Sequence, residues 1–241
     1  MIGRVTLVLL FLSTSTVGFA GTVPNIESLS SWRCTHDLGT PGDSTASTSL
    51  VPNPSRDGEA RRFDFSWSRY GGERCSASLG PLDTVSTYFT YDVWWFITDL
   101  SHVYNLEFDL NQVLPNRDTV IFGTECSLSL GKWKFTTRAG TSAHWSVSSA
   151  TCGRAVWTAN SWHHLVLQFH RDGNGLVTYD SVSLDGDVQD FADASGASNF
   201  DLRWKPSGLL KVNFQIDGDN SAHGTTAYLD SFTVTGSSGA P

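Results

Sequence analysis

From Leu50 onward the chain carries no sustained 3.6-residue hydrophobic period; short runs alternate apolar and polar residues and are separated by turn formers. In "ARRFDFSWSRY", Phe63, Phe65 and Trp67 fall on one side, with Arg62, Asp64 and Ser66 on the other. "RCSASLG" follows Gly71-Gly72, which reads as a hairpin turn. Further strands are expected at "STYFTYDVWWFI", "YNLEFDLNQV", "DTVIFGTEC", "GKWKFTTR" and "AHWSVSS". "WHHLVLQFHR" runs into Asp172-Gly173-Asn174-Gly175, the strongest hairpin turn, and "GLVTYDSVSLDG" returns from it. "GLLKVNFQIDG" and "TTAYLDSFTVTG" close the series. About ten to twelve strands at this spacing predict an all-β domain. The Gly/Ser/Thr/Pro-rich stretch Asp37–Ser49 reads as loop, and helix is confined to a turn or two near "NIESLSSW".

The alternation also assigns faces. On "NLEFDLNQ", Leu106, Phe108 and Leu110 must pack inward, so Glu107, Asp109 and Asn111 share the opposite face. On "KVNFQIDG", Val212, Phe214 and Ile216 alternate with Asn213, Gln215 and Asp217. If these two strands are neighbours, Glu107, Asp109, Gln215 and Asp217 form one polar floor suited to sugar hydroxyls. Leu165, Leu167 and Phe169 form another core face, opposite His164, Gln168 and His170. Trp94 and Trp95 point to opposite sides, so one is core and the other is a candidate stacking platform.

Composition narrows the partners. The 241 residues suit one domain, and 9 Trp, 14 Phe and 6 Tyr supply ample core and aromatic surface. A formal net charge of -8 without a basic cluster argues against nucleic acid and anionic membrane. Arg4, the apolar run Val5–Leu12 and the small residues Gly18 and Ala20 read as a secretory signal peptide over residues 1–20. No other segment is apolar enough to span a bilayer, so no membrane span is expected after cleavage. The expected organisation is then a lead-in and loop over 21–49, a domain over 50–236 and a flexible tail over 237–241. In a secreted or periplasmic chain, Cys34, Cys75, Cys126 and Cys152 read as two disulfides, and loops of moderate length favour Cys34–Cys75 and Cys126–Cys152.

The last third, "WHHLVLQFHRDGNGLVTYDSVSLDG" and "LLKVNFQIDG" with "TTAYLDSFTV", resembles the concanavalin A-like lectin/glucanase superfamily, including its laminin-G-like and polysaccharide-lyase-like jelly rolls. The resemblance covers roughly Phe63 to Val234 and implies a two-sheet antiparallel jelly-roll sandwich with a concave inner sheet. Members of the superfamily include lectins, glycanases, lyases and adhesion modules. The function expected is therefore secreted polysaccharide binding, with a polysaccharide-degrading enzyme, lyase before hydrolase, as the first alternative and a laminin-G-like adhesion module as the second. Laminarinase-type members carry a strand Glu-x-Asp-x-(x)-Glu. Glu107 and Asp109 match its first two positions, but Gln112, or Asn111 without a bulge, stands where the acid/base belongs. An acid from another strand, Glu125 or Asp217, is the substitute available. Arg69, Tyr70, Glu73 and Arg74, with Gln112, His164, Gln215 and Tyr91 or Tyr179, have the residue types of a uronate lyase without its motif. The glycan-contact set expected is Glu107, Asp109, Gln112, Gln215, Arg74, Trp94 or Trp95, and His164; no catalytic residue is assigned. The resemblance also implies a structural calcium near the closing strand, with Asp230 as its ligand and Asp217–Asn220 as a second oxygen-rich loop.

Overall fold

A computed structural model describes residues 21–153, 157–191 and 194–239. The signal peptide expected over residues 1–20 lies outside the described residues. Along the chain the strands begin with β1 (Gly21–Val23), β2 (Arg33–His36), β3 (Ser44–Val51), β4 (Ala60–Trp67), β5 (Gly72–Ser78) and β6 (Tyr88–Ile97). They continue with β7 (Val103–Val113), β8 (Thr119–Ser127), β9 (Lys132–Ala139), β10 (Ser142–Thr151), β11 (Trp162–Arg171) and β12 (Leu176–Leu184). The last are β13 (Asp187–Asp190), β14 (Ser195–Ala197), β15 (Asn199–Phe200), β16 (Leu210–Gly218) and β17 (His223–Ser237). A 3-10 turn, Ile26–Ser28, is the helical turn expected near the start.

All described pairings are antiparallel and form two sheets. One runs β13-β12-β11-β6-β17-β4-β3, with β1 added on β17 and β14 on β12. The other runs β10-β9-β8-β7-β16-β5-β2, with β15 on β8; it is called the groove sheet below. Their inner faces meet in one core. Phe214 sits at its centre, 5.5 Å from Phe63 and from Phe108 and 5.9 Å from Phe65 between ring centroids. Trp95, Trp133 and Trp157 close the same core, with Trp95 and Trp157 4.3 Å apart. The parity read from the alternation holds: Leu106, Phe108, Leu110, Val212, Ile216, Leu165 and Leu167 are fully buried, and Trp95 is the inward member of its pair. Disulfides join Cys34 to Cys75 and Cys126 to Cys152, each tying neighbouring parts of the groove sheet.

Three sequence expectations need correction. Ser44–Val51 is not loop: it pairs along its whole length with β4 as an edge strand. Its Ser/Thr composition misled, because an edge strand with exposed residues needs few apolar side chains. Gly71-Gly72 does not make a hairpin, since β4 and β5 belong to different sheets. Arg69 and Tyr70 take left-handed φ values of 39° and 65°, and the turn is fastened to the end of β16 by Tyr70 N–H to Asp219 O and Gly218 N–H to Gly71 O. That anchoring carries the chain from one sheet to the other. The strand count exceeds expectation because β1, β13, β14 and β15 are too short to show a period of their own. The hairpin at Asp172–Gly175 does form, with the Asp172 carboxylate accepting the N–H groups of Asn174 and Leu176 and Gly175 at φ 80°.

Truncating the central ring tests this packing. Phe214→Ala is expected to lower unfolding free energy by about 3–5 kcal/mol, read from urea melts; a loss under about 1 kcal/mol would mean that the sheets do not meet there.

Candidate functional site

Strands β5, β16, β7, β8 and β9 pair across the groove sheet without a bulge from Gly72 to Ser78 and from Asn105 to Val113. Side chains that share a face therefore line up in rows. One row reads Arg74, Gln215, Glu107, Glu125, Lys134 across the five strands. A second reads Ser76, Asn213, Asp109, Gly123, and a third Gly72, Asp217, Asn105, Ser127, Lys132. The neighbour relation that joins Glu107, Asp109, Gln215 and Asp217 into one floor is thus present.

These rows floor a cleft of about 490 Å³ on the outer face of the sheet. Asp37, Gly39 and Thr40 wall one side, and Ala143 and Trp145 of β10 wall the other. Gly123 keeps the floor open beside Asp109: a Cβ there would stand 2.1 Å from the Thr136 hydroxyl. From beneath, core tyrosines brace the floor. The Tyr179 hydroxyl accepts the Gly123 N–H at 3.0 Å and donates to Thr136 O at 3.2 Å, while the Tyr91 hydroxyl donates to Asn213 O at 3.5 Å. Both tyrosines are therefore core braces, and neither is the groove base that a lyase would need.

The floor is a knot of acids held by few cations. Gln215 Nε2 shares its two N–H groups among three acceptors, Glu107 Oε1 at 3.0 Å, Asp217 Oδ1 at 2.9 Å and Asp37 Oδ2 at 3.1 Å. Asn105 Nδ2 donates to Asp217 at 3.2 Å, and Asn213 Nδ2 to Asp109 at 3.4 Å. Lys134 pairs with Glu125 at 2.5 Å. One oxygen each from Glu107, Glu125 and Asp217 lie within 4.8 Å of one another. Burial pushes the Glu107 carboxyl well above the ordinary carboxylate range, and the charges of Asp217, Asp109, Glu125 and Asp37 push it the same way. Burial raises Asp109 to about 7 against the Asn213 hydrogen bond and the Arg74 charge. It likewise raises Glu125 to about 7 in spite of Lys134.

Not every expected contact residue is here. Arg74, Glu107, Asp109 and Gln215 line the cleft. Gln112 does not. Without a bulge it has the inward parity of Leu110, and it is fully buried where its Oε1 accepts from Arg171 at 2.6 Å and its Nε2 donates to Asp83 O and Ser86 O. It is a structural bridge between the sheets. Trp94 and His164 stand on the opposite sheet, stacked on each other at 4.5 Å, with the Arg56 guanidinium 3.3 Å from the Trp94 ring centre and Asp92 2.7 Å from His164. Trp95 is core. The stacking residue at the cleft is instead Trp145, whose register opposite Thr136 sets it on the groove face. Asn105, Lys134 and Asp37 were also unassigned, because only pairing across strands and a loop contact reveals them.

Asp230 lies elsewhere, at a one-residue bulge of β17 where Ser231 has φ 49°. It gathers with Glu27 and Asp57, one oxygen from each within 4.8 Å. Asp230 Oδ2 accepts the Arg56 N–H at 2.6 Å, and Glu27 Oε2 the Phe232 N–H at 2.9 Å. Three carboxylates joining the chain start, a loop and the closing strand form an oxygen donor set that fits a hard cation.

No family model matches the sequence, and no curated protein matches it either. Similar solved structures include a carbohydrate-binding module of the β-sandwich superfamily, at 9% identity and TM-score 0.46, covering 86% of this chain and 57% of that one. This chain therefore spans little more than half the length of that protein. A family 11 carbohydrate-binding module from Clostridium thermocellum, in complex with a β-1,3-1,4-mixed-linked tetrasaccharide, is 11% identical with TM-score 0.41, covering 91% and 98%. A Bacillus licheniformis β-glucanase is 13% identical with TM-score 0.43, covering 89% and 97%.

Carboxyls that hold protons to higher pH when folded stabilise the fold fully below the unfolded carboxylate range, and that contribution is lost as pH rises through about 7. In chelator, the melting temperature is expected to fall from about pH 5 to about pH 8, and Glu107→Gln to flatten the slope. A melting temperature that climbs over the same range would contradict the buried acid cluster.

Proposed function

We propose that the groove sheet binds a neutral polysaccharide in the cleft between the Asp37–Thr40 loop and Trp145. The observation that carries this reading is the floor itself. Carboxylates and carboxamides from three neighbouring strands stand within reach of one another, beside one aromatic wall. Side chains on one face recur about every 6.6 Å along a strand, a spacing that meets successive hydroxyls of a sugar ring. The carboxamides donate and accept at once, and Trp145 supplies an apolar face for the ring.

The balance of charge favours neutral over uronate glycans. Asp37, Glu107, Asp109, Glu125 and Asp217 face Arg74 and Lys134, and Lys134 is already paired with Glu125. A uronate would add like charge to this floor. Hydrolysis has less support than binding. With Gln112 turned into the core, strand β7 offers Glu107 and Asp109 without the acid of a Glu-x-Asp-x-x-Glu pattern. The adhesion-module reading places the contact on rim loops or on the opposite sheet, away from this floor. The two disulfides suit action in an oxidising, extracellular setting. A calcium-class ion at Glu27, Asp57 and Asp230 would serve stability, fastening the chain start to β17.

Affinity electrophoresis or calorimetry against neutral glucans, xylans, mannans and galactans tests the reading. Trp145→Ala is expected to weaken retention by ~5–10-fold, of the order of one aromatic stacking contact. Glu107→Gln is expected to weaken it without loss of cooperative melting, and Trp94→Ala to leave it unchanged. Reducing-sugar release or ultraviolet absorbance from unsaturated products would overturn a binding-only role. Retention lost with Trp94 and kept without Trp145 would move the site to the other sheet. Separately, calcium is expected to raise the melting temperature, and Asp230→Asn to shrink that rise; an equal rise in the variant would remove the ion from that cluster.

A further inference from the structure

We propose that the groove floor is also a divalent-cation site, in which Glu107, Glu125 and Asp217 bind a calcium-class ion together with the side-chain oxygen of Asn105. The proposal shares the groove with the binding reading but does not depend on it. Three observations lead to it.

The first is convergence. The three carboxylates come from β7, β8 and β16, and one oxygen of each lies within 4.8 Å of the others. Ligands held at ~2.3–2.6 Å around one calcium ion stand up to about 5 Å apart, so this spacing suits a single ion. The second is a shortage of positive charge. Lys134 reaches Glu125, while the group shared by Glu107, Asp217 and Asp37 is the uncharged amide of Gln215. Buried anions need a compensating charge, and a cation supplies it where the side chains do not.

The third observation does not come from the acids. Asn105 is 7% exposed and lines the same cleft. Its amide nitrogen donates to Asp217, yet its Oδ1 is buried without a hydrogen-bond partner. A buried carbonyl oxygen left unmatched costs free energy, and a carboxamide oxygen is an ordinary calcium ligand. Four protein oxygens leave positions open in a coordination shell of about six to eight, which water or the vicinal hydroxyls of a sugar can fill. Occupancy would tie three strands at the centre of the floor and make the groove selective for diols.

The test uses the full chain, stripped with chelator and free of glycan, in an Asp230→Asn background so that the other acid cluster is disabled. Calcium is titrated by calorimetry, and terbium by luminescence excited through tryptophan. One-to-one binding is expected. It should weaken by ~10-fold or more in the isosteric double variant Glu125→Gln/Asp217→Asn. It should weaken by a smaller factor in Asn105→Ala, a change that leaves every acid in place and guards against a variant that fails to fold. Absence of binding at millimolar calcium, or binding unaltered in both variants, overturns the proposal. Glycan retention measured in chelator reports on the binding reading separately, so either can fail alone.

Discussion

The functional surface depends on one constraint: five antiparallel strands paired without a bulge beneath the groove. In such a ladder the period of two is kept, so Leu106, Phe108, Leu110, Val212, Phe214 and Ile216 face the core, and Asn105, Glu107, Asp109, Gln215 and Asp217 face the cleft. A one-residue slip would bury Glu107 and Asp109 in the core and expose Phe108 and Phe214. The aromatic core thus fixes the register, and the register assembles a row from Arg74 to Lys134 whose members are far apart in sequence. The cost is that acids share a floor with little water. Their raised affinity for protons, the amide of Gln215 donating to three carboxylates and the Lys134 pair are ways of tolerating that crowding.

The opposite sheet resolves its polar residues differently. His164 pairs with Asp92, His170 with Asp180 and His223 with Asp99, at 2.7, 2.9 and 3.0 Å, in each case with both partners part-exposed. Trp94 and Tyr88 are stacked on His164 and His170. These side chains are satisfied by their immediate neighbours, and polar pairs so open to solvent contribute little stability. At the cleft, Asn105 Oδ1 is buried without a hydrogen-bond partner. Because that oxygen lines the cleft, a ligand entering the groove can satisfy it.

Much of this was legible in the alternation. It separates the two faces of β7, β11 and β16 and makes the polar floor conditional on a pairing that the fold supplies, while loop length alone points to the disulfide partners. What it missed has physical causes. Only a bulge would turn Gln112 toward the groove; continuous pairing through Val113 turns it inward to Arg171. Trp94 was an outward aromatic as expected, but which sheet an outward residue serves is decided by strand order, and β6 lies between β11 and β17. Glu125 opposite Glu107, and Trp145 opposite Thr136, are cross-strand relations with no local signature. Ser44–Val51 looked like loop because an edge strand can be built from Ser and Thr.

Side-chain magnetic resonance of the indole and carboxamide N–H groups, followed during titration with neutral oligosaccharides, addresses the central claim most directly. With sugar in the groove, the Trp145 indole and the Gln215 and Asn105 carboxamides shift together while Trp94 and Trp162 stay in place. Shifts gathered at Trp94 and Trp162, with the groove signals unmoved, would contradict it.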